Sequence, residues 1–221
     1  EYLKADLTPD FGIGALDSGR VIPANIPVSR FLNVSWAYNH VDQRSGYFKF
    51  DHHFSDTWQL ALAGSFQSTN VDAYGAGLPN LVSRTGDWNR TLARSNTTER
   101  NAGLQLTVNG KFMTGRFGHQ FTGGADYLRI VSLTNAFRIS SNGQTVTVYD
   151  KINLLDPARY LQRSDIPLAE RTTLTTAPSG RAGVFGQDLI TLTEKVKIFT
   201  GLRWSYQVRP RTNILNVPAG T

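Results

Sequence analysis

The sequence predicts an all-β protein: an antiparallel sheet whose strands cross a membrane as part of a transmembrane β-barrel. Three observations carry this. Segments of about ten residues alternate between apolar and polar side chains, which suits a tilted membrane-crossing strand of ~9–11 residues. The connections alternate between very short turns and long polar stretches. Aromatic side chains gather near the segment ends, as interfacial girdles require.

Taken in order, residues 1–6 read as the end of a strand, followed by a long polar stretch over 7–44. Residues 47–54 set Phe48, Phe50, His52 and Phe54 against Tyr47, Lys49, Asp51 and His53. The turn Ser55-Asp56-Thr57 leads into 58–67, where Trp58, Leu60, Leu62, Gly64 and Phe66 oppose Gln59, Ala61, Ala63, Ser65 and Gln67. Residues 70–98 read as a second long loop. Then Leu104, Leu106, Val108 and Phe112 alternate with Gly103, Gln105, Thr107 and Asn109, and Met113-Thr114-Gly115-Arg116 turns the chain. In 117–128, Phe117, His119, Phe121 and Tyr127 oppose Gly118, Gln120, Thr122 and Gly124. A third long stretch spans 138–181. Residues 183–193 are strand-like with mixed faces, and the Thr193-Glu194-Lys195 turn precedes 196–207, where Ile198, Leu202, Trp204 and Tyr206 oppose Phe199, Gly201, Arg203 and Ser205. Short turns on one side with long loops on the other are the habit of an outer-membrane barrel. The greasy face is expected to meet lipid and the polar face, with Gly103, Gly118, Gly124 and Gly201, to line the lumen. About seven strands are too few to close such a barrel, so the chain reads as part of a larger one. A soluble sandwich would show the same alternation with one face in its core.

Composition closes other routes. Among 221 residues, 40% are hydrophobic and only 18% charged, with 20 Gly, so a long-helix protein is disfavoured. Aromatics at 11% argue against disorder. Cysteine is absent, which excludes disulfides, thiol nucleophiles and Cys-type metal sites. The net charge of +6 comes from singly scattered Arg and Lys, without the run or stripe that nucleic acid requires. The chain opens without the basic start and apolar core of a signal peptide, and no apolar run reaches the ~20 residues of a membrane helix.

Several segments resemble the barrel of TonB-dependent siderophore receptors. Gly183-Val184-Phe185-Gly186-Gln187-Asp188, then Leu192, Lys195 and Gly201-Leu202-Arg203, is similar to the family's late-barrel hairpin. Asp10-Phe11-Gly12 and Ile26-Pro27-Val28-Ser29-Arg30-Phe31-Leu32 resemble an extracellular segment, and His53-Phe54-Ser55-Asp56-Thr57-Trp58 a periplasmic turn. Gly110-Lys111-Phe112-Met113-Thr114-Gly115 with Gly123-Gly124-Ala125-Asp126-Tyr127 resembles the next hairpin. Trp204 is followed by Ser205 where the family pattern often has Asp. The resemblance implies a central piece of a barrel of about 22 strands, with plug domain and TonB box lying outside residues 1–221. It also implies a bacterial outer-membrane location, ferric siderophore as ligand, and energy from the TonB complex.

The candidate chemistry is that of a receptor rather than an enzyme. His52 and His53 point to opposite faces of one strand and cannot easily share a metal. His40 and His119 are isolated. No Gly-x-Ser-x-Gly elbow, phosphate loop or His-Glu-x-x-His occurs, and Gly12-Ile13-Gly14 is too little for a dinucleotide site. The Asn-x-Ser/Thr patterns at Asn33, Asn89 and Asn96 read as chance in Asn- and Thr-rich loops. Trp36, Tyr38, Tyr74, Trp88 and Arg94 are the candidate ligand-binding residues, because loop aromatics stack on a ligand and a guanidinium pairs with its carboxylate or catecholate oxygens. Arg84 and Arg90 stand close in sequence. Arg contacts to lipopolysaccharide phosphates are the competing use of these cations. No cofactor is expected, and iron enters only as part of a siderophore. The expected function is therefore siderophore uptake, with a passive porin-type barrel or a soluble carbohydrate-binding sandwich as alternatives.

Overall fold

The computed structural model describes residues 1–7, 15–23, 26–27 and 29–218. The Asp10-Phe11-Gly12 and Gly12-Ile13-Gly14 segments lie outside the described residues. The strands, in chain order, are β1 (Tyr2–Leu7), β2 (Tyr38–His53), β3 (Trp58–Ala76), β4 (Asp87–Arg90), β5 (Leu92–Thr114), β6 (Phe117–Ser141), β7 (Gln144–Thr145), β8 (Asp150–Asn153), β9 (Leu168–Thr191), β10 (Lys197–Val208) and β11 (Asn213–Asn216). One antiparallel sheet runs β1-β2-β3-β5-β6-β9-β10, with β11 pairing β9 and β7 pairing β6. The strands β4 and β8 form a separate two-stranded sheet.

A sandwich would require a second large sheet over the first. None exists among the described residues, and Leu104, Phe48 and Leu202 stand 48%, 51% and 82% exposed on the outer face. The chain is one wall of a barrel.

Register fixes the two faces. Leu62 lies opposite Phe50 and Leu106, Leu106 opposite Ala125, Ala125 opposite Val184, and Val184 opposite Trp204. Directly paired residues share a face, so the expected greasy face is continuous across six strands. The opposite face carries Ser65, Gly103, Asp126, Gly183 and Arg203. Trp58 stacks on Phe112 at 6.1 Å and Phe112 on His119 at 4.6 Å beside the short turns, while Trp204 and Tyr206 stack at 6.0 Å near the other end. These are the two aromatic belts.

The short turns fall where expected. Ser55 Oγ accepts hydrogen bonds from the backbone of Thr57 and Trp58 at 3.3 and 3.2 Å, and Thr193 Oγ1 does the same for Lys195 and Val196. Gly115 adopts φ 60° at the first central position of the two-residue β5–β6 turn, where a type II′ hairpin favours glycine.

Strand length corrects the sequence reading. Strands β3, β5, β6 and β9 have 19, 23, 25 and 24 residues, not about ten. The stretches 70–98 and 138–181 are therefore mostly strand at both ends. The reason lies in the upper halves, Gln67-Ser68-Thr69-Asn70 or Asn96-Thr97-Thr98-Glu99 for example. Both faces there are polar, so the period-2 signal vanishes although the hydrogen-bond ladder continues. The apolar part of β3, Trp58 to Phe66, is what a bilayer covers.

Gly124 sits where strands crowd on the lumen face. A Cβ there would lie 2.3 Å from the Leu106 carbonyl oxygen. Because that obstacle is backbone, Gly124→Val is expected to cost about 1–3 kcal/mol by overpacking, read as a lowered unfolding midpoint of the intact barrel.

Candidate functional site

Three places concentrate polar chemistry. The first is the concave lumen face, a recess of about 920 Å³ lined in part by Ser65, Gln105, Asp126, Arg181, Phe185 and Arg203. Arg203 pairs with Asp126 at 2.6 Å, bonds Ser205 Oγ at 3.0 Å and lies over the Phe185 ring. The absence of a side chain at Gly183 makes room for this guanidinium, since a Cβ there would fall 2.4 Å from it. The pair is partly solvated and contributes little to stability. Its value is a fixed array of donors and acceptors facing inward.

The second place is the cap formed by the described residues of segment 15–37 together with segments 77–91 and 142–167. Read from sequence these are polar loops, yet they close on a core of their own: Leu16, Ile26, Leu32, Val82, Trp88, Ile152 and Leu154. At its centre Arg90, 1% exposed, clasps Asp150 bidentately at 2.8 and 2.5 Å and donates to the carbonyls of Leu32 and Asn33 at 3.1 and 2.9 Å. One guanidinium thus ties the three segments together. Arg30 donates to the Leu154 and Leu155 carbonyls and adds a second tie. Asn153 is a third node, bonding the Thr85 carbonyl and Asp87 Oδ1 while accepting from the backbone of Leu155 and Asp156.

The third place joins cap and wall. Tyr74 pairs across the ladder with Tyr38 on one side and Arg94 on the other, so the three share a face. Arg94 binds Asp72 and lies 5.6, 5.9 and 4.8 Å from the Tyr38, Tyr74 and Phe137 rings. Trp36 meets Tyr74 edge-on at 4.9 Å and donates from Nε1 to the Tyr149 hydroxyl at 3.3 Å. The Tyr74 hydroxyl donates to the Pro167 carbonyl at 2.8 Å, and the Tyr149 hydroxyl to the Asp165 carbonyl at 2.6 Å. Burial pushes the Tyr74 phenol up to about 12, against the opposing pull of Arg94. Because the folded value is raised, this contribution to cap stability is full below the ordinary phenol value near 10 and is lost as pH climbs through about 12.

Of the five candidate ligand residues, four come together: Trp36, Tyr38, Tyr74 and Arg94. Trp88 does not join them and lies 1% exposed in the cap core. Tyr74, Trp88 and Arg94 all lie in strand ladders, which corrects the reading of 70–98 as loop. The alternation places Tyr38, Tyr74 and Arg94 on the outward face, above the part that meets lipid, rather than over the lumen. Arg90 is a structural clasp, while Arg84 is exposed. Tyr149 and Asp150 escaped the sequence reading. Their signal was the alternation Val146, Val148, Asp150, Ile152, Leu154, too brief to stand out in a polar stretch.

His52 lies between Phe50 and Phe54 on the outer face, apart from His53 on the inner one. No group of three His, Cys, Asp or Glu placed to hold a metal occurs among the described residues.

A membrane-spanning antiparallel wall with an extracellular cap defines the class of protein. The family model described as "TonB dependent receptor-like, beta-barrel" matches residues 1–218, and the chain belongs to this family of outer-membrane barrels. No curated protein matches by sequence. Among solved structures, the siderophore receptor PiuA of Acinetobacter baumannii aligns with TM-score 0.75 at 21% identity, over 97% of this chain and 34% of that one. The ferric-catecholate import receptor Fiu of E. coli K12 aligns with TM-score 0.72 at 13% identity, over 98% and 39%. BauA, the ferric preacinetobactin receptor of A. baumannii, aligns with TM-score 0.69 at 19% identity, over 94% and 31%. The chain thus spans about a third of the length of these receptors, and the likeness is one of fold.

Proposed function

We propose that the chain forms part of the barrel of a receptor that takes up ferric siderophores across the outer membrane, energised by the TonB complex. The observation that carries this reading is the family match across residues 1–218, and the likeness to three siderophore receptors supports it. Iron is cargo here, held by the siderophore rather than by protein ligands.

The chain's own residues supply two things. The lumen face offers an ordered polar array around Asp126 and Arg203. The cap offers aromatic and cationic groups at the cell surface, among them exposed Arg84 and the Lys151, Arg159 and Tyr160 cluster, where both cations lie within 5.5 Å of the Tyr160 ring centre. Trp36, Tyr38, Tyr74, Trp88 and Arg94 remain the proposed ligand-capture set, acting through the cap: four brace its junction with the wall, and Trp88 fills its core.

The test uses the whole receptor in intact cells with surface level controlled. Uptake of iron-55 as ferric catecholate or hydroxamate siderophores is expected to require TonB. Uptake that persists without TonB would indicate a passive channel, and no binding of any ferric siderophore would overturn the reading. Replacing Tyr74, Trp88 and Arg94 together by Ala should weaken binding tenfold or more, each 1.4 kcal/mol being about a factor of ten. Since all three lie in ladders, the cap should also become more open to protease.

A further inference from the structure

On the lumen side of β9 and β10, arginines climb from the recess toward the cap. Inward positions on β10 rise from Arg203 through Ser205 and Gln207 to Arg209. On β9, Arg181 lies opposite Gln207, and Gly183 below it lies opposite Ser205. Arg181 therefore stands two inward positions above Arg203, roughly 13 Å along the strand, and Arg209 roughly 7 Å higher again. Only the small Gly183 and Ser205 lie between Arg203 and the level of Arg181.

The wall is interrupted at the top of this series. From Val208 to Asn213 the chain advances five residues while its partner strand advances four, from Gly180 to Thr176, so one extra residue is taken up as a bulge. Pro210 and Pro178 both fall in this interval, and neither has an N–H to give the ladder. Arg209 is left without a cross-strand partner. Charge on this face is otherwise matched: Asp126 pairs with Arg203 at 2.6 Å and Lys49 with Asp51 at 2.9 Å. Glu99, two strands away on β5, accepts from Asn101 at 2.9 Å. Arg181 and Arg209 are exposed, and among the described residues no ion pair engages either.

We propose that Arg181 and Arg209 form, with the recess beneath them, a transit site for a ferric chelate of net negative charge. Such a chelate exposes catecholate or carboxylate oxygens, which a guanidinium fork binds bidentately. The recess, about 920 Å³ and lined by both Arg181 and Arg203, has the size of a small-molecule pocket, ~300–1,000 Å³. Because Asp126 already meets the charge of Arg203, the surplus belongs to the two arginines above it. A neutral chelate gains nothing from that surplus. The inference rests on the siderophore-uptake reading and adds to it the charge of the cargo.

The test uses the whole receptor, in detergent for binding and in intact cells for uptake. One variant carries Arg181→Gln and Arg209→Gln; a second carries Arg181→Lys and Arg209→Lys, which keeps the charge. A control carries Lys111→Gln and Lys197→Gln, the same loss of charge on the same face beside the periplasmic turns. The probes are a ferric tris-catecholate, which is anionic, and a ferric trihydroxamate, which is neutral. Both arginines are exposed and unpaired, so assembly should be unaffected. The Gln variant should bind the tris-catecholate about tenfold more weakly or worse, the scale of one lost charge-assisted hydrogen bond, and take it up more slowly. The Lys variant should recover most of that binding, and the control should match wild type. Equal binding of the tris-catecholate by wild type and Gln variant would overturn the proposal, as would a wild type that prefers the trihydroxamate. Equal loss of both chelates would mark a structural role and overturn it as well. Selective binding of the tris-catecholate without TonB-dependent uptake would remove the uptake reading and leave the site standing. Uptake of the trihydroxamate alone would do the reverse.

Discussion

Arg90→Ala will open the cap while leaving the membrane-spanning wall folded. The substitution strands Asp150, whose carboxylate is nearly inaccessible, and frees the carbonyls of Leu32 and Asn33. Breaking one side of a buried pair costs about 3–5 kcal/mol, enough to consume most of what a seven-residue apolar core can hold against loop entropy. Hydrogen exchange on the whole receptor should show protection lost at the backbone of Leu154 and Tyr149, which donate to Gly86 and Arg90. Exchange in the lower half of β5 should be unchanged. A double replacement, Arg90→Met with Asp150→Leu, should recover part of the loss, because no buried charge is left unpaired, while the Leu32 and Asn33 carbonyls still lack their donor. Unaltered protection in Arg90→Ala would mean that the apolar contacts alone hold the cap.

The second large effect concerns the wall. Leu62 lies midway along the apolar part of β3, between Trp58 and Phe66, on the face shared with Phe50 and Leu106. Leu62→Arg should destabilise the receptor by about 2–4 kcal/mol, the cost of a cation near the bilayer midplane. Ser65→Arg, on the opposite face of the same strand, should cost clearly less, since it enters the polar lumen. Refolding titrations in lipid vesicles would measure both. Comparable losses would contradict the assignment of faces derived from register.

How far the sequence could be read depended on contrast between faces. Where one side of a strand meets hydrocarbon and the other the lumen, as from Trp58 to Gln67, alternation marked the strand and both its orientations correctly. The lumen glycines and the split pair His52–His53 also fell where alternation put them. Above Phe66 that contrast is lost, and a ladder continuing to Ala76 looked like loop. The cap was hidden for a different reason. Its core is assembled from Leu32, Val82, Trp88 and Leu154, contributed singly by distant segments, and a lone apolar residue in a polar stretch carries no period. Arg90 resembled the exposed Arg84 and the half-buried Arg94 in sequence. Only the meeting with Asp150, sixty positions away, makes it a clasp.

The height of the strands has an electrostatic consequence. Above Phe66, β3 continues for ten residues to Ala76, a rise of roughly 25 Å at a barrel tilt near 40°. That is about three screening lengths at physiological ionic strength, ~8 Å each. A negatively charged molecule approaching the cap is therefore almost beyond the repulsive field of the anionic membrane surface. It responds instead to local charge, which on the cap includes Arg84 and the pair Lys151 and Arg159, whose two positive charges share the single carboxylate of Asp87 at 3.8 and 3.6 Å. The strands act as a stalk that lets the receptor present a cationic surface above a membrane whose own potential would turn the same molecule away.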